Sequence, residues 1–301
     1  MATLDFNYED SLSLILKNEL KLLGYDVSAL NGFRGILKAY YTVRLRLVEK
    51  QKRKVYINSS LKCPPTLIKG LTCLEQKFIR GENVNPHLSK EIRNLDYVDG
   101  MLFDWGIYHF HLGTKLDNRG LIERTGNVLY AMVMPNEVYF IMIAPHGQWA
   151  CKDLLEIVNT EWPLVLNNFK LSNCVSMAYK PSESDIKEAR KGRLVMPVEL
   201  SDGTVLIPPG MGMNADGSSI KVMREVASLC DCLRKEENDM KKTLKDICDT
   251  LDPKHSLDLA NEHFHFRCRR NGNQIVIEDP KHDVSWHKVI ALAPLKELFL
   301  E

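Results

Sequence analysis

The chain has 301 residues, with 40 Lys and Arg against 39 Asp and Glu, a hydrophobic fraction of 45% and a charged fraction of 26%. These values fit a folded globular protein of one large or two ordinary domains, and exclude a globally basic nucleic-acid coat and an acidic disordered tail. Eight cysteines are too sparse for a small disulfide scaffold, no run reaches the ~18 apolar residues of a membrane span, and the first residues lack the basic start of a secretory signal. The expectation is a cytoplasmic protein with reduced thiols and no membrane partner.

In chain order, residues 8–23 place Leu12, Ile15, Leu16, Leu20 and Leu23 on one helical stripe that Gly24 ends. Tyr41, Val43, Leu45 and Leu47 alternate with Thr42, Arg44 and Arg46, which predicts a strand with Val55–Ile57 as its hairpin partner. The segment 44–54 carries six basic residues. Arg44, Arg46, Lys52, Arg53 and Lys54 are candidate nucleic-acid contacts, against the plainer reading of a solvated hairpin tip. Pro64-Pro65 opens a helix over 66–79, and 81–86 is a loop.

Residues 105–112, 124–133 and 137–144 predict three strands, the last two joined by a tight Pro135-Asn136-Glu137 turn. A helix over 152–159 follows, ended by Trp162-Pro163. Beyond it come a short polar helix or linker at 183–191, a hairpin around Asp202-Gly203, and a loop ending in Ser residues suited to cap a helix. That loop, PPGMGMNADG, lacks the Lys and spacing of a phosphate loop. One long helix, or two, covers 219–249, and Asn271-Gly272 joins a hairpin of 263–269 with 274–277. In that hairpin His263, His265, Arg267 and Arg269 share a strand face, giving a half-buried strand with a basic outer side. The fold class is α+β: an antiparallel β-meander plus helix as the core (96–190), an N-terminal helical and basic β-hairpin region (1–95), and a C-terminal α+β region with a long helix (191–301).

The chemistry concentrates in the meander. His109 and His111 stand two apart on one strand, so they point the same way, while Tyr108, Phe110 and Leu112 take the apolar side. Two imidazoles on an open face are poor core filler. Arg124 opens the second strand and His146 follows the third. Two chemistries use this set. His109, His111, Arg124 and His146 can serve as general base, general acid and phosphate clamp in metal-independent RNA cleavage, since imidazole titrates near pH ~6.5 and a guanidinium is permanently charged. Alternatively His109, His111 and His146 are three neutral zinc ligands with an open position for water. The spacing alone does not separate the two. Cys230-x-Cys232 has no second pair at structural-zinc spacing.

The order of strand, Arg-bearing strand, hairpin partner, His and helix over residues 96–165 resembles the RelE/barnase-type ribonuclease toxins. The string DWGIYHFHLG…RTGNVLYA…VYFIMIAPHGQW also resembles an uncharacterised bacterial group associated with mobile elements and phage defence. The resemblance implies a RelE-like core and a metal-free ribonuclease toxin or defence effector, with RNA as substrate and an antitoxin or inhibitor as partner. It assigns Arg124 to the phosphate and His146 to the late-strand histidine, and it gives His109 and His111 no counterpart. A non-enzymatic nucleic-acid or partner-binding protein is the third alternative.

Overall fold

The computed structural model describes residues 3–174, 176–250, 262–282 and 284–299. In chain order its elements are β1 (Thr3–Asn7), α1 (Tyr8–Leu22), α2 (Phe33–Arg46), β2 (Lys54–Ile57), α3 (Ile68–Arg80), α4 (Gly100–Trp105), β3 (Ile107–His111), β4 (Asn127–Val133) and β5 (Glu137–Pro145). There follow α5 (Asp153–Glu161), α6 (Glu183–Lys191), β6 (Val198–Glu199), β7 (Val205–Leu206), α7 (Ile220–Thr250), β8 (His263–Asn271), β9 (Gln274–Asp279), β10 (Val284–Ala291) and α8 (Leu295–Phe299). The chain is a mixed α+β protein with two compact units: residues 42–223, and residues 1–41 with 224–300. The expected region boundaries at 95/96 and 190/191 both lie inside the first of these units.

In the unit 42–223 a four-stranded sheet runs in the order β2-β5-β4-β3. The meander forms as the alternation predicts. β3 pairs antiparallel with β4, with His109 opposite Tyr130 and His111 opposite Val128, and β4 pairs antiparallel with β5. One sheet face carries Ile107, Val128, Tyr130 and Met132 into a core closed by Leu154, Leu155 and Val158 of α5. On the other, Phe78 of α3 meets Phe110 and Phe140 edge-on at 5.6 and 5.9 Å. Gly70 permits that approach, because a Cβ there would stand 1.8 Å from the Leu112 carbonyl oxygen.

The segment 41–47 is the main correction. It is the end of α2, not a strand, and β2 pairs parallel with β5 rather than with it. The residues Val43, Arg46 and Leu47 are buried, an i, i+3, i+4 set that suits a helix as well as Tyr41, Val43, Leu45 and Leu47 suited a strand. The helix over 183–191 forms with a complete capping box between Ser182 and Asp185. The loop before α7 is a connector whose Gly210 and Gly212 amides donate to the Asp104 and Phe103 carbonyls.

In the other unit the sheet order is β1-β8-β9-β10, with β1 parallel to β8. The alternation of β8 is as expected: Phe264, Phe266 and Cys268 are buried, while His263, His265, Arg267 and Arg269 are exposed. The basic outer side is matched by neighbours, since Arg267 and Arg269 pair with Glu278 and His265 pairs with Asp5. Glu19 of α1 is buried and held by the Tyr40 hydroxyl, the Leu295 amide and the Arg270 guanidinium.

Candidate catalytic centre

Three strand ends build the cluster. β3 supplies His109 and His111, the connection into β4 supplies Arg124 and Thr125, and the turn after β5 supplies His146 and Trp149. A register shift between Tyr130 and Ala131 offsets the end of β5 by one residue, so that Tyr130 faces Met142 and Asn127 faces Pro145. The Tyr130 hydroxyl then donates to the Pro145 carbonyl at 3.1 Å and accepts from the Gln148 amide at 3.1 Å. The His146 amide donates to the Gly126 carbonyl at 2.8 Å. Gly147 turns the chain between them at φ 113°, backbone that a side chain would strain. The turn is thus fixed from both sides over the end of β3.

The imidazoles converge. Ring centroids lie 5.3 Å apart for His109 and His146, 5.7 Å for His111 and His146, and 6.1 Å for His109 and His111. Trp149 closes the group, 4.8 Å from the His109 ring and 4.7 Å from that of His146. The histidine face of β3 is closed, not open as the sequence suggested: His109 is 5% exposed and His111 1%. His146 and Arg124 are exposed and form the accessible side.

Partners fix some proton positions. The Thr125 amide donates to His111 Nδ1 at 3.2 Å, so neutral His111 carries its proton on Nε2. Arg124 Nη2 lies 3.3 Å from His146 Nε2, which must be the acceptor, because a guanidinium only donates. His87 is fully buried and its Nδ1 lies 2.8 Å from the His111 carbonyl oxygen. The Nε2 atoms of His87, His109 and His111 have no hydrogen-bond partner among the described residues.

Burial and mutual repulsion depress the three cluster histidines. Burial first, then the charges of His146, His111 and Arg124, bring His109 down to about 3. Burial and Arg124 bring His111 down to about 4. Burial and Arg124 also lower His146, the most accessible of the three. At neutral pH, His109 and His111 are neutral.

One nitrogen from each of His109, His111 and His146 lies within 4.8 Å of the others, so the cluster can hold a metal ion. The donor set fits zinc only after rearrangement. Zn–N bonds of about 2.0–2.1 Å put tetrahedral ligand atoms about 3.3 Å apart, and each must offer a bare nitrogen. His111 has its bare Nδ1 engaged by Thr125. Arg124 adds a fixed positive charge beside His146. An imidazole and guanidinium cluster of this kind favours an anion.

The basic segment separates into two kinds of residue. Arg46 is buried and donates to the Asn94, Tyr97 and Glu91 carbonyls. Arg53 is buried and donates to the Met134, Glu49 and Gln51 carbonyls. Both guanidiniums are structural clamps, unavailable to phosphate. Arg44 pairs with Glu49 at 2.8 Å. Lys52 and Lys54 remain exposed, the latter with its ammonium 4.6 Å from the Tyr56 ring centre. Sequence reasoning brought together His109, His111, Arg124 and His146, but passed over Trp149, Thr125 and Tyr130. The string HGQW held Trp149 in plain view, three residues after His146.

No protein-family model, curated protein or solved structure matches this chain.

Proposed function

We propose that the chain is a metal-independent ribonuclease that handles a phosphodiester at the His109–His111–Arg124–His146 cluster. The observation that carries this reading is the contact of Arg124 with His146, both exposed, beside two buried, neutral imidazoles. RNA brings its own nucleophile, the 2′-hydroxyl, so the protein need supply only proton transfer and a cation. His109, neutral, is the general base for the 2′-hydroxyl proton, and substrate must part the cluster to reach its buried ring. His111 keeps its Nε2 proton as a donor to a phosphate oxygen. His146, the least desolvated, takes up a proton most readily and returns it to the leaving 5′-oxygen as general acid. Arg124 contacts the phosphate and stabilises the charge that builds up on it. Burial is the main cause that keeps the imidazoles neutral, and an anion beside Arg124 offsets the repulsion that adds to it, so substrate raises their proton affinity.

The three nitrogens of the cluster support a second reading, a zinc-dependent hydrolase in which His109, His111 and His146 hold the ion and activate water. The deciding experiment measures metal content and RNA cleavage on one sample, with and without chelator. Cleavage that persists in chelator and leaves 2′,3′-cyclic phosphate ends is the expected result. About one zinc per chain, with cleavage lost in chelator, overturns it in favour of the hydrolase. Salt-sensitive nucleic-acid binding without turnover overturns both in favour of a binding protein. On this reading the activity belongs to a growth-arrest or phage-defence setting with an inhibitory partner. That part of the reading rests on the resemblance alone.

A further inference from the structure

A cavity of about 540 Å³ lies in the same unit, lined by Tyr97, Asp99, Trp149, Lys187, Glu188, Arg190, Lys191 and Arg193 among others. Trp149 belongs to both this wall and the histidine cluster. Tyr97 and Asp99 also line a void of about 10 Å³ against His109. The cavity therefore adjoins the cluster on the side of His109 and Trp149.

Its floor is built around one unusual group. The Arg190 side chain is 8% exposed, pairs through Nε with Asp104 at 2.8 Å and sits 4.3 Å over the Trp105 ring. Its Nη1 donates to the Trp149 carbonyl, which ties α6 to the turn that carries His146. Its Nη2 is buried and has no partner among the described residues. A buried guanidinium N–H left without an acceptor costs free energy, and the Arg190 side chain is part of the wall of a cavity large enough for a nucleotide. Lys187, Lys191 and Arg193 add three cations, against the carboxylates of Asp99 and Glu188. Glu188 is itself paired with Lys191 at 2.6 Å. Tyr97 and Trp149 add aromatic surface for a base.

We infer that this cavity seats the nucleotide next to the scissile phosphate. Its base lies against Trp149 and Tyr97, and its phosphate meets Lys187 and Lys191. The inference rests on the ribonuclease reading for the word scissile, but the binding itself does not. The test therefore uses a probe that cannot be cleaved, a fluorescein-labelled 2′-O-methyl RNA pentamer, and reads Kd by anisotropy.

Arg190→Lys removes the unpartnered Nη2 but disturbs a buried ion pair and can fail to fold. The double variant Lys187→Glu/Lys191→Glu changes only exposed side chains and carries the test. It is expected to raise Kd roughly tenfold or more, because two phosphate contacts become repulsive. Lys62→Glu/Lys69→Glu, an exposed basic pair elsewhere in the unit, is expected to leave Kd within about threefold. A pentamer with an abasic central position is expected to bind the native protein roughly tenfold more weakly than the intact probe. Equal losses in the two lysine variants, equal affinity for the abasic probe, or no binding of the probe by the native protein each overturns the inference. Loss in the first variant alone, from a protein that cleaves no RNA, keeps the seat and removes the ribonuclease reading instead.

Discussion

Arg124 Nη2 approaches His146 Nε2 to 3.3 Å on the exposed side of the three-histidine cluster. A cation that donates to an imidazole keeps that imidazole unprotonated until something takes the cation's attention. A phosphate does so, because a guanidinium binds its oxygens in a bidentate fork. On the proposed reading, the contact couples substrate arrival to the protonation of His146.

Arg124→Ala is accordingly expected to lower RNA cleavage by about 10²- to 10³-fold, the range for removing one preorganised charge-stabilising donor. Arg124→Lys keeps the charge but loses the fork, and should recover only part of the rate. Steady-state kinetics on a single RNA measure both. Cleavage by Arg124→Ala at the native rate removes Arg124 from the mechanism.

The buried pair should be silent to pH across the range in which exposed histidines titrate. Held at about 3 and about 4, His109 and His111 are expected to keep neutral-imidazole chemical shifts from pH 8 down to pH 5. NMR of the imidazole carbons checks this directly. A midpoint near pH ~6.5 for either residue contradicts the burial that the fold imposes.

The same depression sets a stability slope. Unfolded histidine binds its proton near pH ~6.5, and the folded pair does not until pH nears 4 and 3. Between those limits the unfolded state holds more protons, so stability rises with pH and falls as pH drops from ~6.5. Each such histidine contributes at most about 1.4 kcal/mol per pH unit in that window. His109→Gln should flatten the dependence of Tm on pH between 6.5 and 4.5. An unchanged slope in the variant locates the acid sensitivity elsewhere.

Arg46 and Arg53 resemble RNA contacts only in the sequence. Arg53→Ala leaves the Met134, Glu49 and Gln51 carbonyls without their donor, a loss on the order of 3 kcal/mol. Denaturant unfolding should register that loss in the midpoint. Lys52→Ala, on an exposed side chain, should stay within about 0.5 kcal/mol.

In a bacterial host, expression of the native chain is expected to slow growth, and His111→Ala or Arg124→Ala to relieve it. Full toxicity from both variants dissociates growth arrest from the cluster.

The meander was legible because each strand has its own period-2 pattern and a short turn, so local sequence specifies local pairing. His109, His111, Arg124 and His146 came together for the same reason: neighbouring strand ends are neighbours in space. The end of α2 was misread because Tyr41, Val43, Leu45 and Leu47 satisfy a two-residue period while Val43, Arg46 and Leu47 satisfy a helical one. The carbonyls of Asn94, Tyr97 and Glu91, far along the chain, are what accept from the buried arginine there. Arg190 had no local signal, because its role depends on Asp104 and Trp149, contributed by distant segments.

The parallel pairing of β2 with β5 joins segments some eighty residues apart, Lys54 with Glu137, whereas β3, β4 and β5 are consecutive. Loop closure slows pairings between distant segments and favours those between near ones. The three strands that frame the histidine cluster can therefore assemble before the sheet is complete, and β2 closes the edge afterwards. On that order of events, mutations in the β4–β5 turn change the rate of folding, while mutations in β2 change mainly the rate of unfolding.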